Sequence, residues 1–549
     1  MSKRLTVIDF FCGAGGFSEG FRQAGFDVVM GVDNWQPAIT THNINHGLND
    51  TPISVLEFED IQKIEALPDT DIIVGSPPCV SFSLSNKGGG ADKTLGIRLI
   101  EAYLRIVAVK KHKKGSVLKA WLMENVPNSR NYVKQVYTFD DLGLSEWAKS
   151  NSLDPSAVAL NVSNNGSVLK ASDYGAAQSR SRFVCGEMTS DDSFPEPVKA
   201  KSELTVGDIR GALPAPMLGF DADTKIKDPN YPNSVFLCSE IHDHFYDTGV
   251  YEVEWKKAKA AKLNHPYMGK MSFPENEEKP SRTIMATRSA STREAIIYKS
   301  ELERTGDGEY RTPTIREAAA MMGFPLDYEF YGDESKKWRQ VGNAVCVPLS
   351  LSLAKEVASR LELKATSPKG VEKDLSSINF LDSQVPLSFN KPPKRNPKAL
   401  FRMHPIKSGN MTVDLTNRSK EIGDGWGVIA HAGTGKDYRS VRIRQDHHVA
   451  AKEVVSKHCP RFIEDLERVV ATPYTQAELD KKNEEYGYVS KDDAHPYNVI
   501  KFMSDKIAQF CEAETSLDVS GTILADIKSA MPLSQAMSIY AMGALLGDS

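Results

Sequence analysis

Cys79 stands directly behind two prolines, in Gly75-Ser76-Pro77-Pro78-Cys79. The two rings fix the backbone ahead of the thiol and hold its sulfur in one place. The stretch that follows, VSFSLSNKGGGADK, is rich in Ser and Gly and has the composition of a flap. A lone cysteine is more often an inert buried residue. One behind a rigid turn and beside a polar loop is a better nucleophile candidate. Glu124 closes the apolar run Ala120 to Met123. A carboxyl held partly out of water there has a raised pKa and can act as an acid, whereas a solvated Glu at a strand end has neither property. Gln178, Arg180 and Arg182 alternate, which puts all three on one face of a strand. Two guanidinium groups on one face suit an anion or a carbonyl oxygen, and equally fit an exposed basic edge.

A second group of residues suits a nucleoside ligand. The run Val7 to Phe11 ends at Cys12-Gly13-Ala14-Gly15-Gly16, and FSEGFRQAG follows as a helix. Missing side chains let a ligand approach the backbone, and a helix start offers free N–H groups. Asp33 ends a second strand at a distance suited to ribose hydroxyls, and Asp60 follows the apolar stretch Ile53 to Phe58. The glycine spacing is not the dinucleotide fingerprint. These residues fit a tight strand-to-helix turn with surface acids just as well.

The elements that must position these groups alternate along the chain. LTVIDFF, DVVMGVD, DIIVGS and KAWLMEN read as strands, with helices FSEGFRQAG, QPAITTHNINHG and IRLIEAYLRIVAVKK between them. The pattern predicts an α/β fold: a doubly wound, Rossmann-like, mostly parallel sheet with helices on both faces. In such a sheet, Cys79, Glu124 and the glycine turn share the ligand-binding edge. The expected organisation is a first catalytic part over 1–186, an irregular lobe over 187–280, a return to the catalytic domain over 281–363, a Ser/Pro/Lys-rich linker over 364–400, and a mainly helical α+β extension over 401–549.

The chain has 549 residues and a net charge of -5, with 40% hydrophobic and 25% charged residues, so it buries real cores and is not a disordered tail. Global charge points to no nucleic acid, although a basic groove is compatible with it. No apolar run spans a membrane, and MSKRLTVIDFFCG lacks a signal-peptide layout. Seven scattered cysteines argue against a disulfide framework and suit a reducing cytoplasm.

Taken in order, the motifs DFFCGAGGFSEGF, GVDNWQPA, GSPPCVSFS, MENV, QSRSRFV, KPSRTI, RTPTIREAAAMMGFP and QVGNAVCVP resemble the cytosine-C5 DNA methyltransferases over residues 5 to 355. The resemblance implies S-adenosylmethionine over the glycine turn, with Gly13 and Gly15 beneath it and Pro78 alongside. Phe11 would pack on the adenine and Asp33 would bind the ribose. Asn34, Asp60 and Ile61 would frame the adenine, and Leu99 and Asn343 match further cofactor contacts. It also implies duplex DNA as substrate, with the target cytosine flipped out of the stack. Cys79 would attack C6, Glu124 would engage N3 and the exocyclic amine, and Arg182 would contact O2. Arg180 would support the nucleophile or a phosphate. No metal is implied. The setting implied is a microbial or phage-infected cell, with a cognate restriction endonuclease as a possible partner.

Val80 departs from the family pattern, which has Gln directly after the cysteine. No bond-making step requires that Gln, but flap closure draws on it. The lobe over 187–280 occupies the position that reads DNA sequence, with Lys256, Lys257, Lys259, Lys262 and Arg282 as candidate readers or plain surface cations. A tRNA methyltransferase of the same fold is the first rival, although the Cys-Phe-Thr signature usual in those enzymes is not found. A catalytically silent DNA-binding protein is the second, against which the retention of Cys79, Glu124 and Arg182 argues. In the C-terminal region, Gly433-Thr434-Gly435-Lys436 is not a P-loop, and His447, His448, His458 and Cys459 follow no zinc spacing. Arg442 and Arg444 would share one face of a strand, with Arg439 on the other. That face fits a DNA or partner contact and a solvated surface equally.

Overall fold

The computed structural model describes residues 4–78, 93–263, 270–363, 366–390, 405–409, 411–417, 423, 425–432, 439–470, 472–484, 495–512 and 531–546. The chain divides into two compact units, Met1–Leu387 and Ser388–Ser549.

The first unit is built on a six-stranded sheet. Its leading elements are β1 (Thr6–Phe10), α1 (Gly16–Gln23), β2 (Asp27–Val32), α2 (Gln36–His46), α3 (Ile61–Ala66), β3 (Ile72–Gly75), α4 (Lys93–His112) and β4 (Ala120–Asn125). A small antiparallel pair, β5 (Val136–Thr138) and β6 (Val158–Asn161), flanks α5 (Ser145–Ser150). The strands β7 (Gly166–Lys170) and β8 (Ser181–Met188) then return to the sheet. The strand order is β2-β1-β3-β4-β8-β7. The first four strands are parallel, and β8 and β7 are antiparallel additions.

Period two decides which side chain faces which layer. Val7, Ile72, Val74, Ala120, Leu122 and Val184 face one core, which holds Phe17 and Phe21 of α1. Ile8, Phe10, Ile73, Trp121, Met123, Phe183 and Cys185 face the other, which holds α4. Both faces are covered, so these strands read as continuous apolar runs. The chain winds outward from β1 in both directions, so the strand order reverses between β1 and β3. In such a sheet the ligand crevice lies outside the strand ends at that reversal.

The remaining elements of the unit are α6 (Val206–Ala212), β9 (Lys225–Lys227), β10 (Val235–Leu237), α7 (Glu252–Leu263), β11 (Tyr298–Lys299), β12 (Tyr310–Arg311), α8 (Ile315–Met321), α9 (Glu334–Asn343) and α10 (Val347–Arg360). The separate lobe is drawn differently from the sequence expectation. Ile209, Ile226, Ile241 and Phe245 join the main core. The distinct small core forms from Val250, Trp255 and Ala258 together with Ala295 and Ile297, on both sides of residue 280. The expected linker is also different. Its residues 366–387 are part of the first unit and pack along it, where Asp382 accepts from the backbone of Asp243, His244 and Phe245.

The second unit has an antiparallel sheet of β13 (Ile406–Ser408), β14 (Met411–Thr416), β15 (Gly427–Ala432) and β16 (Arg439–Arg442). Among the described residues five helices follow: α11 (Gln445–His458), α12 (Pro460–Val469), α13 (Gln476–Glu484), α14 (Pro496–Glu512) and α15 (Leu533–Gly543). Val413 and Leu415 of β14 pack in one core with Met537 and Tyr540 of α15. Ser440 and Arg442 share a face of β16, and Arg439 lies on the other. Arg444 has left the strand and forms the N-cap of α11. Gly433 to Lys436 lie outside the described residues.

Beneath the first glycine turn lies a buried polar set. One Asp9 oxygen accepts from the Ser18 N–H at 3.1 Å and its hydroxyl at 2.7 Å, and that hydroxyl meets His42 Nε2 at 2.9 Å. Burial raises the Asp9 carboxyl from 3.8 to about 7, with the Ser18 bonds opposing, and lowers His42 to about 3. The Asp9 proton is thus held more tightly in the fold than in the unfolded chain, so stability falls as pH rises from about 3.8 to about 7. Asp9→Asn keeps an acceptor for Ser18 without the charge. Thermal melts are expected to show the variant gaining on the parent by a few kcal/mol at pH 8 and losing that advantage near pH 4. An advantage independent of pH would contradict the assignment.

Candidate active site

The ends of the parallel strands and the start of β8 meet at one edge. Phe11 follows β1 with φ 56°, a left-handed conformation uncommon for a side chain of that size. Gly13 also has a positive φ, 53°, and a Cβ there would meet nothing nearer than 4.0 Å, so its backbone stands open to a ligand. Its N–H donates to Asp33 Oδ2 at 3.0 Å, and the Trp35 N–H donates to Oδ1 at 2.8 Å. Asp33 therefore holds the glycine turn against the end of β2. Burial raises its pKa, opposed by the N–H groups of Trp35, Gly13 and Asn34.

The turn after β3 is pinned from three sides. The Ser76 N–H donates to Phe10 O and its hydroxyl to Phe11 O, both at 3.0 Å. Asn125 Nδ2 donates to Pro77 O at 3.0 Å, tying the turn to the end of β4. Gly75 is required because a Cβ there would meet the Tyr103 ring of α4 at 2.5 Å. Pro78 is the last described residue of this turn. Cys79 and Val80 lie outside the described residues.

Glu124 and Arg182 form the charged centre. Glu124 pairs with Val184 in the β4–β8 ladder, so Arg182 is its diagonal neighbour on the same face. Arg182 Nε lies 2.9 Å from Glu124 Oε1, and both side chains are nearly buried. Burial raises the Glu124 pKa, while the positive charges of Arg182 and then Arg180 oppose it. Arg180 acts mainly as a brace. Its two Nη groups donate to Ile284 O at 3.1 Å and Gly342 O at 3.0 Å, which fixes the end of α9.

A cleft of about 220 Å³ collects Phe11, Gly13, Asp33, Asn34, Pro78, Leu99, Glu124, Arg180, Arg182 and Asn343. Three expected cofactor contacts do not line it. A Cβ at Gly15 would meet the Tyr328 hydroxyl at 2.6 Å and His46 at 2.9 Å, so this glycine serves packing under the turn. Asp60 caps α3, its Oδ1 accepting from the Gln62 N–H at 2.9 Å. Ile61 packs against the core on the α4 side. Ser54 and Val55 line the cleft instead.

Trp35, Arg339 and Gln340 also line the cleft and were not singled out from sequence, although they sit inside or beside the matched motifs. The Arg339 guanidinium lies 4.7 Å from the Trp35 ring centre. Gln340 is 1% exposed; its Nε2 donates to Tyr331 O at 2.7 Å, and among the described residues its Oε1 has no hydrogen-bond partner. A buried acceptor without a partner, on a residue that lines the cleft, would be satisfied by a ligand N–H.

Two expected DNA readers are structural. Lys262 is fully buried, paired with Glu275 at 2.9 Å, and its pKa is lowered by burial. Arg282 grips the same Glu275 through Nε at 3.0 Å and Nη2 at 2.9 Å. Lys256 pairs with Glu252 on the surface of α7, and Lys259 lies over the Phe273 ring.

The family model described as C-5 cytosine-specific DNA methylase matches residues 5–359. The Type II methyltransferase M.MthTI of Methanothermobacter thermautotrophicus is 30% identical over 383 residues, covering 65% of this chain and 98% of that protein. The Type II methyltransferase M1.HphI of Haemophilus parahaemolyticus is 28% identical, covering 64% of this chain and 86% of its own. The Type II methyltransferase M.HgiDI of Herpetosiphon aurantiacus is 29% identical, covering 65% and 95%. With the ordered motifs, the sheet and the cleft already in place, the match over most of the chain settles the family: the chain belongs to the C-5 cytosine-specific DNA methylases.

Proposed function

We propose that this chain transfers a methyl group from S-adenosylmethionine to C5 of a cytosine flipped out of duplex DNA, through a covalent Cys79–C6 intermediate. The observation that carries the reading is the buried Glu124–Arg182 pair, placed on the sheet edge that also holds the glycine turn and the Pro77-Pro78 turn leading to Cys79. The cleft residues fit the methyl donor. Gly13 offers an open backbone, Asp33 and Asn34 stand at the end of β2, and Gln340 presents an unpaired buried acceptor. Bound there, S-adenosylmethionine supplies the electrophilic methyl group that C5 accepts.

The protein's task is to make C5 nucleophilic, because a neutral cytosine ring is not. The Cys79 thiolate forms a bond to C6, and the displaced π electrons move toward C5 and N3. Glu124 holds a proton at N3, where negative charge grows. Burial raises its pKa against the opposing charges of Arg182 and Arg180, which favours the protonated carboxyl and suits Glu124 to donate there. Arg182 orients the Glu124 carboxyl and directs donors toward O2. After methylation, loss of the C5 proton expels the Cys79 thiolate and restores the aromatic ring.

The relatives are named Type II methyltransferases, which supports a place in a microbial restriction–modification pair with a cognate endonuclease. Labelled methyl transfer to duplex DNA and to tRNA tests the substrate. Transfer to duplex DNA is expected, abolished by Cys79→Ser; preference for tRNA would overturn the reading. A second outcome concerns pH. Removing the Arg182 charge takes away the largest influence that lowers the Glu124 pKa. Arg182→Ala is expected to slow transfer by roughly 10²- to 10⁴-fold. It should also move the alkaline limb of the kcat/KM profile to higher pH, since Glu124 then keeps its proton longer. A limb that stays or moves down would contradict the assigned role.

A further inference from the structure

The family match ends at residue 359, yet residues 366–387 belong to the first unit and run over it as a strap. At one end, Arg22 near the end of α1 donates to Lys369 O at 2.9 Å, and Lys373 reaches the Asp327 carboxylate at 2.8 Å. At the other end the strap meets α9. Lys337 and Asp243 form an ion pair in which both side chains are 0% exposed. The Lys337 ammonium has three N–H groups. It contacts both Asp243 oxygens, at 2.7 and 2.6 Å, and the strap carbonyl of Asn379 at 2.8 Å. The Leu381 N–H of the strap donates to the same Asp243 carboxylate at 3.0 Å.

Asp382 locks this arrangement. It accepts three consecutive backbone N–H groups: Asp243 at 2.9 Å, His244 at 2.9 Å and Phe245 at 2.7 Å. Asp243 itself has φ 60°, an unfavourable conformation that needs outside support. Phe380 stacks on His242 with ring centres 3.8 Å apart, and the Ser383 N–H donates to Phe245 O at 2.8 Å. Lys337 lies three residues before Gln340 on the same helix face, and α9 also carries Arg339 and Asn343 into the cleft. Moving Lys337 therefore moves the wall of the cleft.

We propose that the strap sets the position of α9 and so the affinity of the methyl-donor cleft, with Asp382 and Lys337 as positioning residues. This rests on the reading of the cleft given above. No described residue of the strap lines the cleft. It acts by holding Gln340 and Asn343 where the donor meets them, and it extends the working catalytic unit past the end of the family match.

The test uses the full chain carrying Asp382→Asn or Asp382→Ala, with S-adenosylhomocysteine as the probe. Calorimetry should show binding weakened by roughly ten- to a hundredfold, the size expected when buried donors lose their acceptor. The kcat at saturating donor should stay within about threefold. Amide exchange should quicken in 334–343 and 243–246 and stay unchanged in β1 to β4. Asp382→Asn keeps one acceptor oxygen and should show a smaller effect of the same kind if Asp382→Ala does not fold. Unchanged affinity in a folded variant would overturn the strap proposal, even with a lowered melting temperature. A parent chain that binds no S-adenosylhomocysteine would overturn the reading of the cleft itself.

Discussion

The arrangement turns on a carboxylate and a guanidinium held out of water at the open end of a sheet. Burying Glu124 alone would be costly, and burying Arg182 alone equally so. At 2.9 Å each makes the other tolerable. That contact requires β8 to run antiparallel beside β4, because only then does the start of β8 reach the edge where the parallel strands end. The antiparallel addition to an otherwise parallel sheet is thus what makes this contact geometrically possible. It brings a cation to the edge where Phe11, Asp33 and Pro78 already stand.

Around this pair, each turn at the edge is fastened to its neighbour. Asp33 holds the glycine turn through Gly13, Ser76 holds the β3 turn to β1, and Asn125 holds it to β4. Arg180 joins the edge to α9 through Gly342, a position where a Cβ would meet the backbone of Met285 at 2.6 Å. The geometry of the cleft is therefore set by hydrogen bonds of short, fixed side chains and Arg180 with the backbone of neighbouring strand and helix ends.

Much of this was legible in the sequence because the chemistry is compressed into short contiguous runs. The alternation of Val7, Ile8 and Phe10 or of Ala120 to Met123 gives strands buried on both faces, and the edge residues follow each run directly. What was not legible depends on partners distant in the chain. Gly13 and Gly15 look alike in sequence, but only the fold brings Tyr328 and His46 against the second. Lys262 looks like a surface lysine until Glu275 is folded over it. The strap has a linker's composition, and its hold on α9 and the Asp243 turn centres on the Asp382 carboxylate and the Asn379 carbonyl, which no periodicity marks. Asp60 satisfies the motif and yet caps its own helix, so a motif match alone does not fix a side chain's direction.

The central claim is that a sulfur carried by the turn after β3 bonds to the cytosine ring at this edge. A duplex bearing 5-fluorocytosine cannot lose its C5 substituent as a proton, so the covalent state persists once the methyl group has been transferred. Peptide-level mass spectrometry of the trapped complex, formed with S-adenosylmethionine, locates the bond directly. The account predicts the adduct on the peptide containing Cys79. An adduct on Cys12 or Cys346, or methyl transfer with no adduct on any cysteine, would contradict it.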